Sequence, residues 1–101
     1  MRIVLLTATN RQPRWVDEGY AEYARRIRGG CTLRLETIPL GRRSAGGSAA
    51  HAVEQEGKRM LAAVPPGAHV VELAESGGRW TTPALAGKLE TWASGGKTVC
   101  L

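Results

Sequence analysis

The apolar runs in this sequence are short, as in Ile3-Val4-Leu5-Leu6. A membrane-spanning helix needs about 20 mostly apolar residues, so no transmembrane segment is expected. The opening Met1-Arg2-Ile3 carries one charge ahead of a brief apolar stretch, which is typical of a first strand and not of a signal peptide. We therefore expect a cytoplasmic protein.

Cysteine is scarce: the chain has two, Cys31 and Cys100. They form no C-x-x-C pair and have no histidine at ligand spacing, so no zinc or redox motif is predicted. Both lie in apolar segments that we interpret as strands. We expect buried free thiols, because a reducing compartment disfavours a disulfide.

Recognisable catalytic motifs are also missing. The sequence contains no Walker motif and no G-x-G-x-x-G motif. His51 and His69 stand alone, and Glu54 and Glu56 fall on a predicted helix, where we expect them to be exposed to solvent. These residues offer no complete active site and no metal site.

Acidic residues are outnumbered, with 9 Asp and Glu against 14 Lys and Arg, for a net charge of +5. The excess is uneven, since one acid, Glu36, stands among six arginines: Arg25, Arg26, Arg28, Arg34, Arg42 and Arg43. Such a stretch suits a polyanion, and RNA is the natural candidate. A solvated basic face without a partner explains the pattern equally well. The candidate nucleic-acid contacts are Arg25, Arg26, Arg42 and Arg43.

What the sequence does contain is a regular alternation of strand and helix patterns. Strands are predicted over 2–8, 31–39, 69–73 and 97–101, and helices over 15–28 and 49–64, with a third helix that ends at Gly95-Gly96. Thr82 is the predicted N-cap of this third helix, and Pro83 is its first helical residue. The predicted inward residues are Val16, Tyr20, Tyr23, Ala24 and Ile27 in the first helix, Ala50, Val53, Met60, Leu61 and Val64 in the second, and Leu85, Leu89 and Trp92 in the third.

This order predicts a single α/β domain with a mostly parallel sheet and helices on both faces. In such sheets the ligand site lies outside the carboxyl ends of the strands. Two of those ends are Thr7–Asn10 and Leu73–Gly78, and a third would follow Leu101. An apolar strand normally passes into a loop that builds the site, so the topology suggests a truncated enzyme domain.

Three segments resemble the ribosomal RNA large subunit methyltransferase H family, of the SPOUT class. Residues 13–26 resemble its first helix, and residues 54–61 resemble its second. Val70-Val71-Glu72-Leu73, followed by Gly77, Trp80, Thr82-Pro83, Leu85 and Leu89, resembles its third strand and helix. The resemblance extends over essentially the whole chain.

The resemblance implies an α/β-knotted fold and a homodimer. It implies methyl transfer from S-adenosylmethionine to N3 of a pseudouridine in 23S ribosomal RNA on the assembled ribosome, without a metal. In the family, Lys97–Leu101 leads into a glycine-rich loop, the trefoil knot and a basic tail, which this sequence does not contain. The resemblance thus implies that the 101-residue chain alone is inactive and does not bind the cofactor measurably.

One cofactor contact follows from the resemblance: Leu73 would line the adenosine pocket, and the alternative is a core leucine. Trp15, Tyr20 and Tyr23 would contact the partner subunit, and an intramolecular core explains Tyr20 and Tyr23 at least as well. A competing hypothesis comes from a different class of protein. It is a non-catalytic, basic RNA-binding or self-associating module, whose RNA binding would depend steeply on salt.

Overall fold

The computed structural model describes residues 1–41 and 48–101. Its elements follow the predicted order of strand and helix. They are β1 (Arg2–Ala8), α1 (Arg14–Ala24), β2 (Thr32–Ile38), α2 (Ala49–Ala63), β3 (His69–Val70), α3 (Thr82–Gly95) and β4 (Val99–Cys100).

The four strands form one parallel sheet in the order β2-β1-β4-β3. β1 pairs with β2 along its full length, from Arg2 opposite Thr32 to Ala8 opposite Ile38. The predicted parallel α/β class is therefore confirmed. β2 is an edge strand, and its Arg34 Nη2 lies 3.1 Å from Glu36 Oε2.

The core lies where β1 and β4 meet in the middle of the sheet. Ile3, Val4, Val99 and Cys100 are buried there. The pairing continues past β4, because Leu101 N–H donates to the Val4 carbonyl and Leu6 N–H donates to the Leu101 carbonyl, each at 2.8 Å. Leu101 is thus held against β1 in the sheet.

Helices cover both faces of the sheet, as predicted. α2 packs against β1 and β2, and its later turns border a cleft with Leu6 and Cys100. α3 borders a cleft with Ile3 and Leu5. Since successive strand residues point to opposite faces, α2 and α3 lie on opposite sides.

The predicted inward face of α2 is wrong in part. Ala50, Val53 and Leu61 are exposed, Met60 and Val64 are half-buried, and Ala52 and Glu56 are the buried residues of this helix. On this buried side the two backbones approach closely: a Cβ on Gly41 would come within 2.4 Å of the Ala52 carbonyl oxygen. Only glycine fits at position 41 without a shift of the chain.

The first helix is shorter than predicted and exposes Tyr23. α1 ends at Ala24, with Arg25 as its C-cap, and the next turn is tighter, since Arg26 N–H donates to the Tyr23 carbonyl and Ile27 N–H to that of Ala24. Arg25, Arg26 and Arg28 therefore follow the helix and do not lie in its last turn. Gly29 and Gly30 then reverse the chain at φ of 74° and 80°.

The third helix begins one residue earlier than predicted. Thr81, not Thr82, is the N-cap, and its hydroxyl accepts a hydrogen bond from Ala84 N–H at 3.2 Å. Leu89 and Trp92 are half-buried, as expected, but Leu85 is exposed. Gly96 ends the helix in the left-handed conformation.

The third strand was predicted to be buried over 69–73, and this is wrong. β3 contains His69 and Val70, both exposed, because it is the other edge of the sheet. Both cysteines are free, as predicted, and Cys100 is buried whereas Cys31 is half-buried. Across the described residues, no helix has the length and apolar character needed to span a membrane.

Candidate cofactor cleft and basic surface

The carboxyl ends of β1, β4 and β3 lie side by side, so that Leu6, Leu101 and Leu73 are near one another at this end of the sheet. Three clefts open around the carboxyl end of the sheet. Ligand pockets in proteins typically measure about 300–1,000 Å³ and are mostly apolar, with a few polar groups. Each of the three falls in that range.

The first cleft, of about 540 Å³, lies on the α2 side. Its walls are almost entirely apolar and combine the end of the sheet with the last turns of α2. The lining residues are Leu6, Gly57, Met60, Leu61, Val64, Val70, Val71, Glu72, Leu73, Cys100 and Leu101.

The second cleft, of about 500 Å³, lies on the α3 side. Among the described residues that line it, none is charged. They are Ile3, Leu5, Leu33, Val71, Leu73, Gly78, Trp80, Thr81, Thr82, Leu85, Leu89 and Leu101. A third cleft, of about 590 Å³, is formed by the loop after β3 and adds Glu72 and Glu75 to Leu73 and Trp80.

Leu73 borders all three clefts, and its residue surface is 77% exposed. The alternative interpretation of Leu73 as a core leucine is therefore wrong for this structure. An exposed leucine where several clefts meet offers apolar contact to a flat, largely apolar group such as a purine ring. The fold thus places the predicted cofactor residue where a ligand can reach it.

The other predicted strand end, Thr7–Asn10, is tied to the end of β2. Thr9 N–H donates to the Ile38 carbonyl at 2.9 Å, and the side-chain oxygen of Asn10 accepts from Leu40 N–H at 3.0 Å. These bonds hold the ends of β1 and β2 together and make this part of the carboxyl end of the sheet polar. It continues the row of strand ends that borders the clefts.

Glu56 is a residue whose role the sequence analysis missed, since it was expected to be exposed. It is buried, and its Oε1 accepts a hydrogen bond from Gly41 N–H at 2.9 Å. The signal was its spacing of four residues from Ala52, which puts both on one face of α2. This bond joins α2 to the segment that follows β2.

Arg25 and Arg26 both pair with Glu22 on the surface. Arg26 Nη2 lies 2.7 Å from Glu22 Oε1, and Arg25 pairs with the other carboxylate oxygen. Arg26 also lies over the Tyr23 ring, 5.0 Å from its centroid. The hydrogen bonds from Arg25 and then Arg26 lower the pKa of Glu22 below its ordinary value.

The carboxylate of Glu22 thus holds two guanidinium groups side by side and offsets one of their charges. A phosphate could replace Glu22 as their partner. Nothing in this geometry shows that it does, so the nucleic-acid role of Arg25 and Arg26 stays a prediction. The other two predicted contacts, Arg42 and Arg43, lie outside the described residues. Among the residues that are described, no cluster of three potential metal-ligating side chains occurs.

Comparison with known proteins decides the family. A family model described as "Predicted SPOUT methyltransferase" matches residues 1–101. The chain belongs to the SPOUT methyltransferase family. The resemblance seen in the sequence is thereby confirmed.

The similar curated proteins carry a consistent name, "Ribosomal RNA large subunit methyltransferase H". The relative from Alkalilimnicola ehrlichii is 46% identical over 101 residues, which is all of this chain and 64% of the relative. Relatives from Azotobacter vinelandii and Pseudomonas entomophila are 44% and 41% identical over the whole chain, which covers 65% of each. The chain therefore spans about 64–65% of the length of these relatives.

Proposed function

We propose that this SPOUT chain belongs to an S-adenosylmethionine-dependent methyltransferase acting on N3 of a pseudouridine in 23S ribosomal RNA. The observation that carries the proposal is the family match over residues 1–101, together with relatives named as ribosomal RNA methyltransferases. The same observation favours an enzyme over a non-catalytic basic module. The proposal includes a homodimer acting on ribosomes in the cytoplasm.

The apolar clefts around Leu73 fit the adenosine part of the methyl donor. When bound, that donor supplies a methyl group on a sulfonium centre, and no metal is needed. Leu73, Val71 and Leu101 border both the α2-side and the α3-side clefts. We assign them the apolar contacts to the base, and the work of the protein is to position the reactants.

The 101 residues contribute the ends of β1, β3 and β4 to this pocket. We propose that they form one SPOUT unit whose pocket is completed by the part of the relatives that lies outside the match. Under this proposal the 101-residue chain binds S-adenosylmethionine too weakly for calorimetry. Low-micromolar binding to the chain alone would contradict it.

The test is a chimera in which the remaining third of the Alkalilimnicola ehrlichii relative follows Leu101. We expect the chimera to transfer a tritiated methyl group from S-adenosylmethionine to 23S ribosomal RNA of unmodified ribosomes. The 101-residue chain should not. A folded chimera without methyl transfer would show that this chain does not supply the corresponding part of such an enzyme.

Leu73→Asp in the chimera tests the assigned cofactor contact. Because Leu73 is exposed, the change should leave the fold intact and weaken cofactor binding by at least about tenfold, since a carboxylate replaces an apolar contact. Val53→Asp is the matched control, an equally drastic change at an exposed residue that lines none of the clefts. Equal cofactor affinity in the two variants would remove Leu73 from the site.

A further inference from the structure

A row of aromatic rings crosses the α3 side of the sheet next to the apolar clefts. The His69 and Trp92 ring centroids lie 5.2 Å apart, and those of Trp92 and Trp80 lie 6.2 Å apart, with the planes tilted by 43° and 47°. Offset, tilted pairs at these distances attract one another. Trp92 is half-buried in α3 and anchors the row.

Trp80 is the end of this row that borders the apolar clefts. Its residue surface is 49% exposed, and Lys88 Nζ lies 5.5 Å from the centroid of its ring. A tryptophan at such exposure leaves much apolar area in water, although Trp92 and Lys88 hold it in place. A ring that is both exposed and preorganised suits the binding of a flat partner.

The surroundings of Trp80 differ on its two sides. It borders the α3-side cleft, whose described lining residues carry no charge, and the loop cleft, which contains Glu72 and Glu75. Phosphates are repelled from the two carboxylates, so a nucleic acid would approach with a neutral base toward the uncharged cleft. Its phosphates would lie toward Lys88 and the exposed Arg79.

We propose that Trp80 and Lys88 form a stacking platform for one unpaired base of the RNA substrate. On binding, the base displaces the Lys88 ammonium from the face of the Trp80 ring. The ammonium then pairs with the adjoining phosphate. The favourable contact of Lys88 with the ring is thereby replaced and not simply lost. This inference rests on the proposed function, because it takes RNA as the partner of the chain.

The chemistry favours an RNA base over other occupants. Stacking of an unpaired base on an aromatic side chain is a common mode of RNA recognition and accepts any base, since each has a π-face. Arginine and lysine beside the ring supply the accompanying phosphate contacts. A single exposed ring with one cation above it offers one such subsite, so we assign it one nucleotide.

The test measures binding of the chimera to a short single-stranded oligouridylate and to the same RNA annealed to its complement. We expect the single strand to bind more tightly and Trp80→Ala to weaken that binding roughly 5- to 100-fold. Trp80→Phe should recover much of the loss. Lys88→Gln should reduce the dependence of log K on log salt by about 0.7, the release of one counterion from single-stranded RNA.

Val53→Ala is the matched control, because Val53 is an apolar residue that is 57% exposed on α2 and lines none of the three clefts. It should leave affinity for the single strand unchanged. Equal binding of RNA by the chimera with and without Trp80→Ala would overturn the inference while leaving the proposed function intact. Failure of the unsubstituted chimera to bind any RNA would instead overturn RNA as the substrate, and the inference with it.

Two other outcomes would assign Trp80 to a different partner. If Trp80→Ala abolishes binding of S-adenosylmethionine and spares RNA binding, the ring belongs to the cofactor pocket. If Trp80→Ala lowers the molar mass in light scattering and spares RNA binding, the ring belongs to a contact between two copies of the chain. Either result refutes the platform.

Discussion

At Gly41 the chain that follows β2 lies against the backbone of α2. The position of a Cβ there would lie 2.4 Å from the Ala52 carbonyl oxygen and 2.7 Å from its Cα. The Gly41 N–H donates to buried Glu56. A residue without a side chain and a buried carboxylate thus together fix the contact between α2 and the segment after β2. Neither group can shift without disturbing the packing of α2 on the sheet.

We therefore predict that Gly41→Ala destabilises the fold by about 1–3 kcal/mol, the usual cost of forcing extra volume into a packed contact. Gly57→Ala is the matched control, because no atom lies within 4 Å of its Cβ position. Alanine in a helix is more stable than glycine by about 0.5–1 kcal/mol, so this control should gain stability. Urea unfolding followed by circular dichroism measures both, and equal midpoints for wild type and Gly41→Ala would contradict the prediction.

The two thiols should differ in reactivity. Burial, and to a lesser extent the charge of Glu36, raises the pKa of the Cys100 thiol, so it forms less of the reactive thiolate at a given pH. Cys31 is more accessible. We expect iodoacetamide to modify Cys31 first in the native protein and both thiols in urea, as followed by mass spectrometry of Cys31→Ser and Cys100→Ser. Equal rates of modification of the two thiols in the native protein would show that Cys100 is not protected by the fold.

At the scale of the elements, α2 and α3 both begin with a side-chain cap. Ser48 Oγ accepts from His51 N–H at 3.1 Å, and Thr81 Oγ1 accepts from Ala84 N–H at 3.2 Å. Each bond satisfies one of the N–H groups that a helix start leaves without a partner. For α3 the cap also fixes the direction in which the chain leaves Trp80.

Thr81→Ala should cost about 1 kcal/mol of stability through loss of this cap. Thr82→Ala is the control, because Thr82 is exposed and already lies within the helix. Its effect should be near zero or slightly stabilising, since alanine favours helix. Thermal unfolding of the two variants distinguishes them, and a larger loss for Thr82→Ala would restore the cap position that the sequence pattern indicated.

At the scale of the whole molecule, large apolar side chains remain on the surface around the clefts. Leu61 and Leu73 are each 77% exposed, and Val70 is also exposed. All three line the α2-side cleft. Contiguous apolar surface of this kind drives association with a partner or with further chain.

We predict that the 101-residue chain associates in solution at micromolar concentration. Leu61→Glu should shift it toward monomer, because a charge would have to be buried in the contact. Val53→Glu, at an exposed residue that lines none of the clefts, should change the association less. Light scattering gives the molar mass, and a monomer of 10.8 kDa for the unmodified chain would refute the prediction.

Local patterns were enough to predict the class and order of this fold. Strand and helix periodicities, the turn at Gly29-Gly30 and the end of α3 at Gly95-Gly96 depend on residues close together in the chain. The length of α1 and the cap of α3 were misjudged by one to four residues. Such ends depend on individual hydrogen bonds, which a periodic pattern does not specify.

The sequence by itself determined that this protein is a parallel α/β domain in which strands and helices alternate, because those features follow from local periodicity. Only the tertiary structure decided which side of α2 is buried, that Glu56 is enclosed and that Leu73 is exposed between clefts. Those outcomes depend on contacts between distant segments. The Gly41 N–H binds Glu56 from a segment 15 residues away, and the order β2-β1-β4-β3 brings Leu101 beside Leu6 while β3 stays at the edge.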